Sequence, residues 1–409
     1  MKIFFVLLIL ILIDIYFYFG TSSVVNFSIN NIKLYKFIYW IVSLLIYTAI
    51  IYVILTYEKK TPSIRFNDSI FYSSLVFIIF ISKFIGLFPL IIDDIIRFFK
   101  YLSNTFSFSD KQFDSSRLDF LKKSSLAVSG VIFSTLFLGM LFGRYNFKKN
   151  FQNIFIKRWS KNLSGYKIVH ISDLHLGSFN SIEKLEEVVD LINEEKADLV
   201  VFTGDLVNNY YHEAVPYIDT LKKIKAKDGK FSILGNHDYC DYVGWKRESD
   251  DWKDNFSKLL DVQRKAGFQL LRNENTLIKN NKDSFNLVGV ENWGAGNFNK
   301  DGDLDLAMKN VDKKIPTILL SHDPSHWRLK VLSSPHIIDL QLSGHTHGMQ
   351  FGIEIPFFKW SPVKYRYKEW AGLYKSRNSQ IYVNRGLGHL GYAGRVGIMP
   401  DISVLTINS

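Results

Sequence analysis

The chain predicts an α-helical membrane region followed by an α/β unit of mixed sheets. Three observations carry this: four long apolar stretches confined to residues 1–143, a change near Tyr166 to short apolar runs alternating with helical spacing, and hairpin-like strands toward the C-terminus. With 409 residues, 47% of them apolar, the chain is too long for one ordinary domain. The expected division is a membrane region over 1–143 with about four transmembrane helices, a basic aromatic linker over 144–165, and a globular domain over 166–409.

Residues 3–19 are apolar except for Asp14, and 37–57 carry no charge. Each is long enough to cross, or nearly cross, a hydrocarbon core of about 30 Å. A third stretch, 69–92, is interrupted only by Lys83, and a fourth, 124–143, is diluted by Ser and Gly. No small-x-small cleavage site follows the first run, so a multi-pass inner-membrane protein is expected, not a cleavable leader. Asp14 and Lys83 are costly inside apolar helices; pairing with each other or snorkelling to an interface would relieve either. With four spans, ten basic residues fall on the side shared with the C-terminal domain and eight on the other. That difference favours a cytoplasmic globular domain. The segment 116–122 competes, because it resembles a twin-arginine export signal, with Leu118 where the second arginine should stand. Between Gly143 and Lys161 there are six basic residues and no acidic ones, interleaved with aromatics. This suits either a segment lying along anionic headgroups or a solvated linker.

The net charge of +11 stops there, since residues 162–409 hold 31 basic and 31 acidic side chains. A neutral domain is a poor nucleic-acid binder, and no nucleic-acid partner is expected. Cys240 is the only cysteine, which excludes a disulfide framework and a thiolate metal site. No basic neighbour argues for a reactive thiol there.

In the globular domain, apolar runs at 166–171, 198–202, 230–234, 284–290, 316–320 and 336–342 read as strands, with further strands at 372–374, 381–384 and 402–407. Residues 181–196 have helical spacing, and Asn180 with Glu183 forms a capping box. Polar blocks end five of the runs: Asp173-Leu174-His175, Gly204-Asp205, Gly235-Asn236-His237-Asp238, Ser321-His322-Asp323 and Gly344-His345-Thr346-His347. Side chains beyond strand ends meet at one crevice, and i, i+2 spacing in extended chain points two of them to the same face. Two Asp, one Asn and four His supply oxygen and imidazole ligands only, which suits Mn, Fe or Zn better than Ca. Seven donors exceed what one ion needs, so two divalent ions sharing a carboxylate, roughly 3.5–4 Å apart, are expected.

These five blocks, in order and with no ligand position substituted, resemble the signature of calcineurin-like metallophosphoesterases. The resemblance implies a four-layer sandwich of two mixed β-sheets flanked by helices. It also implies one metal on Asp173, His175, Asp205 and His347, and a second on Asp205, Asn236, His322 and His345. His237 would be the catalytic histidine and Asp238 its orienting partner. The anchored arrangement resembles the bacterial transmembrane metallophosphoesterase branch. That branch implies hydrolysis of a phosphodiester or pyrophosphate in a lipid-linked substrate such as UDP-diacylglucosamine. The alternatives are an anchored enzyme acting on soluble or extracytoplasmic phosphoesters, and an inactive scaffold of the same fold. Two further residues are candidates for the substrate: Arg385, whose planar fork could take a second phosphate, and His389 in a glycine-rich loop lining the crevice. His170 reads as a core histidine, and His212, His326 and His336 as solvated.

Overall fold

The computed structural model describes residues 2–25, 29–57, 65–106, 115–280, 283–377 and 379–409. It divides into two compact units, Met1–Leu141 and Phe142–Ser409.

The first unit holds α1 (Lys2–Thr21), α2 (Ile29–Tyr57), α3 (Arg65–Phe106) and α4 (Ser115–Leu138). Four stretches on these helices are long and apolar enough to cross a membrane. α3 is 42 residues long and overruns the apolar stretch that marks it. Past Ile92 it continues through Asp93, whose carboxylate is met by Arg97 one turn on and by Arg117 of α4 at 3.6 Å. Helical hydrogen bonding needs no apolar side chains, so hydropathy ends before the helix does. Asp14 and Lys83 pair with each other, and Tyr39 donates its hydroxyl to Asp14 Oδ1 at 2.7 Å. Gly86 lets α3 and α4 close up: Ser125 Oγ donates to its carbonyl at 2.6 Å, and a Cβ there would stand 2.9 Å from Ser129 Cβ.

The second unit is a sandwich of two six-stranded mixed sheets. Its strands in chain order are β1 (Lys148–Phe155), β2 (Tyr166–Ile171), β3 (Leu199–Phe202), β4 (Lys230–Ser232), β5 (Gln269–Leu270), β6 (Glu274–Asn280), β7 (Asp283–Gly289), β8 (Thr317–Leu320), β9 (Leu340–Ser343), β10 (Ile353–Ile355), β11 (Phe358–Trp360), β12 (Gly372–Ser376), β13 (Ser379–Val383) and β14 (Asp401–Asn408). The first sheet runs β1-β14-β2-β3-β4-β5 and the second β12-β13-β9-β8-β7-β6, with β10 and β11 as a separate hairpin. Within the sheets, β2 to β5 are mutually parallel, as are β7, β8, β9 and β13.

Period-two alternation explains the layering. Ile168, Leu199 and Val201 face Leu287, Ile318, Leu320 and Leu342 in a core between the sheets. Val169, Val200 and Phe202 point the other way, onto α5 (Ile182–Glu194), α6 (Ile218–Lys222) and α7 (Asp250–Lys265). Short helical turns carrying Ala307, Trp327 and Val331 cover the far face of the second sheet and complete four layers. The cap of α5 is Ser181, whose hydroxyl accepts the Lys184 N–H at 3.3 Å, one residue later than the Asn180 box expected.

The linker expected over 144–165 is corrected. Residues 148–155 form edge strand β1, paired in parallel with β14, and Ile154 and Trp159 are buried. Phe151 and Phe155 remain exposed on this edge, so the segment lacks the clean alternation that would mark a strand; its partner lies some 250 residues away.

Candidate metal centre

Every candidate ligand stands just past the C-terminal end of a parallel strand. Asp173 and His175 follow β2, Asp205 follows β3, Asn236 follows β4, His322 follows β8, and His345 and His347 follow β9. Five of these seven adopt left-handed backbone: Asp173 (φ 51°), His175 (45°), Asp205 (60°), His345 (72°) and His347 (49°). Non-glycine residues avoid that region, and its concentration here marks a site whose geometry is imposed by its surroundings. Gly344 makes the close approach possible: a Cβ there would lie 1.9 Å from Ser172 Oγ and 2.3 Å from Asp173 Oδ2.

Two groups of side chains result, Asp173 with His175 and His347, and Asp205 with His322 and His345. His175 Nε2 and His347 Nε2 face each other at 3.1 Å, and His347 Nε2 is 3.3 Å from Asp173 Oδ1. Asp205 lies between the groups, its Oδ2 3.2 Å from His322 Nε2 and 3.6 Å from His175 Nε2. Asn236 Oδ1 is 2.8 Å from His345 Nδ1. Carbonyl oxygens set the tautomers, because they can only accept. Thr203 O lies 2.6 Å from His322 Nδ1, and Asn208 Oδ1 lies 3.0 Å from His175 Nδ1, so the lone pair of each neutral ring sits on Nε2.

These residues fit divalent ions. His322 Nε2, close to Asp205 but not aligned for a hydrogen bond, and Asp323 Oδ2 are fully buried without hydrogen-bond partners. Such atoms are costly unless something else binds them. Burial opposes charge throughout, yet Asp205 holds the His322 ring up at about 10, and His347 keeps the Asp173 carboxyl far below its ordinary range.

Other candidates are placed differently. His237 is the partly exposed member of its block; its Nδ1 lies 2.7 Å from the Asn208 carbonyl and its backbone N–H donates to Asp205 Oδ1 at 2.8 Å. Asp238 is not its orienting partner. That carboxylate accepts the N–H groups of Gly235, Asp205 and Leu206, each at 2.9 Å, and so locks two ligand loops together, while burial followed by the Asp205 charge pushes it up to about 7. Arg385 is not free for a substrate phosphate: it is buried and donates to Asp401 Oδ2 and Glu354 Oε2, both at 2.9 Å. His389 is buried beside Tyr145, burial lowers its ring to about 3, and its Nδ1 is buried without a hydrogen-bond partner. His326, expected to be solvated, is buried with Nδ1 2.9 Å from Ser321 Oγ, because the helical turn after Asp323 folds back under the loop. His336 pairs with Asp305 at 2.7 Å. Cys240 is buried and its thiol is pushed up to about 12 by burial.

Sequence reading missed four residues. Asn208 orients both His175 and His237; Asp323 comes within 3.4 Å of His345 Nε2; Tyr367 places its hydroxyl 2.8 Å from the same atom; and buried Arg395 donates to the carbonyls of Arg385, Gly386 and Gly388. Asn208 and Asp323 lie within or just after motif blocks and were legible as extensions of them. Tyr367 and Arg395 carried no local signal.

The fold and site together are those of the metallophosphoesterase class, with Asp and His groups that could hold metal ions, and comparison with known proteins agrees. The family model described as "Calcineurin-like phosphoesterase" matches residues 166–349, and that described as "Probable Calcineurin-like phosphoesterase, transmembrane domain" matches 1–144. The chain is 35% identical over 253 residues to the uncharacterized metallophosphoesterase YkuE of Bacillus subtilis, covering 60% of this chain and 80% of that protein. It is 28% identical to a transmembrane protein with metallophosphoesterase domain from Danio rerio, covering 62% of this chain and 55% of that one. An uncharacterized metallophosphoesterase of Helicobacter pylori is 30% identical, with 62% of each chain covered. The chain thus spans less than two thirds of the zebrafish and Helicobacter proteins. It belongs to the calcineurin-like metallophosphoesterase family, and its four apolar helices make it a membrane protein of that family.

Proposed function

We propose that this protein is a membrane-anchored, dinuclear phosphohydrolase that cleaves a phosphodiester or pyrophosphate bond in a lipid-linked substrate. The observation that carries the chemistry is the placement of Asp205 between two imidazole–carboxylate groups, with His322 Nε2 buried 3.2 Å from its carboxylate and without a hydrogen bond. Asp173, His175, Asp205 and His347 would hold one ion, and Asp205, Asn236, His322 and His345 the other; Mn, Fe or Zn suits these donors. When bound, the ions supply positive charge for the phosphoryl oxygens of an in-line displacement.

The chain's own residues do the rest. The Asn208 carbonyl fixes a proton on His237 Nδ1, so only the doubly protonated ring, which carries a second proton on Nε2, would deliver one to the departing oxygen and return to the neutral Nδ1–H form. Asp238 holds the Asp205 and Asn236 loops in register through their backbone N–H groups. The lipid-linked substrate is supported by the four helices long and apolar enough to cross a membrane, which would tether the catalytic domain to a bilayer. A multi-pass topology with the catalytic domain in the cytoplasm is the reading favoured by the basic residues. A reporter fused after Ser409 and active on only one side of the membrane tests it: activity only when exported overturns the cytoplasmic placement.

Purified full-length protein, assayed with each metal against a phosphomonoester, a soluble diester and a lipid pyrophosphate, tests the chemistry. Highest kcat/KM on the lipid substrate is expected. Preference for the soluble esters would overturn the lipid reading, and no turnover with any metal would favour the inactive scaffold.

A further inference from the structure

The hairpin of β10 and β11 is built inside out. Its register pairs Ile353 with Trp360, Glu354 with Lys359 and Ile355 with Phe358, so apolar side chains share one face and the two charges the other. The charged face contacts the domain through its side-chain tips, although Glu354 and Lys359 are themselves exposed. Glu354 accepts from Arg385, and Lys359 donates to the Ala371 carbonyl with its ammonium 5.1 Å from the Trp370 ring. The apolar face is left in solvent: Ile353, Ile355 and Phe358 are exposed, and Phe357 at the turn is fully so at 101%. Exposed Met349 and Tyr365 flank the hairpin in the chain. A one-residue slip would turn the apolar face inward, and the Arg385 ion pairs with Glu354 and Asp401 oppose it.

Contiguous exposed apolar surface of this kind marks an interaction site. Immediately after it, Lys364, Arg366 and Lys368 are exposed, and among the described residues no carboxylate forms an ion pair with them. The nearby acids, Glu354 and Glu369, are taken by Arg385 and Arg328. Tyr367, inside this basic segment, reaches His345 of the candidate metal centre at 2.8 Å. Aromatic wedge and cationic rim together match an anionic headgroup layer. A second copy is a poorer occupant, because a two-fold contact would bring the like-charged rims together.

We propose that the β10–β11 hairpin and the segment Lys364–Lys368 form a docking surface for an anionic bilayer, which presents the mouth of the site to phosphate esters carried by lipid. The substrate half of this inference rests on the phosphohydrolase reading above; the docking half does not.

The test uses the full chain with Phe357→Cys, labelled with a polarity-sensitive fluorophore; Cys240 is buried and stays unlabelled. The protein is reconstituted in phosphatidylcholine vesicles with or without phosphatidylglycerol, a fraction of the lipid carrying a nitroxide quencher. Docking predicts blue-shifted emission and quenching on the order of twofold in the anionic vesicles, relieved by salt, with a label at exposed Leu277→Cys unaffected. Solvent-like emission in every vesicle overturns the proposal. So does quenching that follows protein density and not anionic lipid, since a second copy would then be the occupant. A quenched label on a protein that hydrolyses no phosphoester would leave the docking standing and remove the phosphohydrolase reading.

Discussion

Replacing Asn208 by Ala should separate metal holding from proton delivery. The side chain makes two short buried hydrogen bonds, Oδ1 accepting from His175 Nδ1 at 3.0 Å and Nδ2 donating to Ser178 Oγ at 3.0 Å, and Ser178 Oγ also approaches Oδ1 at 3.4 Å. Its main-chain carbonyl, which orients His237, survives the substitution. Two lost hydrogen bonds at about 0.5–1.5 kcal/mol each amount to roughly 1–3 kcal/mol, or about 5- to 150-fold. Loss of an outer partner of a metal-binding histidine ordinarily costs about 10–100-fold in affinity, within that range. Titration of metal-free protein with Mn, following both bound metal and hydrolysis of a soluble diester, should show affinity weakened by about 10–100-fold, with most of the rate recovered at saturating metal. Asn208→Asp, which still offers an acceptor oxygen, should lose less. Unchanged affinity, or a rate loss that excess metal does not restore, would refute the argument that this side chain acts through His175.

Three further outcomes are expected. Asp205→Ala should bring bound metal toward zero by elemental analysis, whereas His322→Ala should empty mainly one site; two ions retained in Asp205→Ala would contradict the shared carboxylate. His237→Ala should keep its metals and lose roughly 10²–10⁴-fold in rate, and the loss should shrink for a leaving group that is already a weak base. An equal loss for good and poor leaving groups would speak against proton delivery. Finally, burial lowers His170 and His326 to about 4 from an ordinary value near 6.5. A lowered histidine favours the native state above its unfolded value, so this stability is complete above pH 6.5 and is lost as pH falls from 6.5 toward 4, by up to about 3 kcal/mol per ring. Because burial raises Asp238 to about 7 and so gives a term of opposite sign, the measurement is the difference in thermal melting between the full chain and His326→Gln in detergent across that window: the variant should lose less stability toward pH 4, and an unaltered slope would remove His326 from the account.

What the amino-acid sequence determined by itself was local. A stretch of twenty apolar residues has few options besides a membrane helix, and Asp, Asn and His placed just beyond β-rich runs are brought to one crevice by any parallel sheet that forms. The membrane helices, the two-sheet unit and the clustering of Asp173, His175, Asp205, Asn236, His322, His345 and His347 were legible for that reason. Long-range pairing decided the rest. Residues 148–155 become a strand because Asp401–Asn408 lies beside them, and their own pattern of charge and aromatics favours nothing in particular. Arg385 is withdrawn from the crevice by Asp401 and Glu354, residues 16 and 31 positions away. Asp238 spends its lone pairs on backbone N–H groups that only the folded loops present, and the ring beside it finds the Asn208 carbonyl instead. A side chain's chemistry is written in its identity, but the partner that satisfies a buried charge or donor depends on which distant segment packs against it, and a linear pattern does not contain that information.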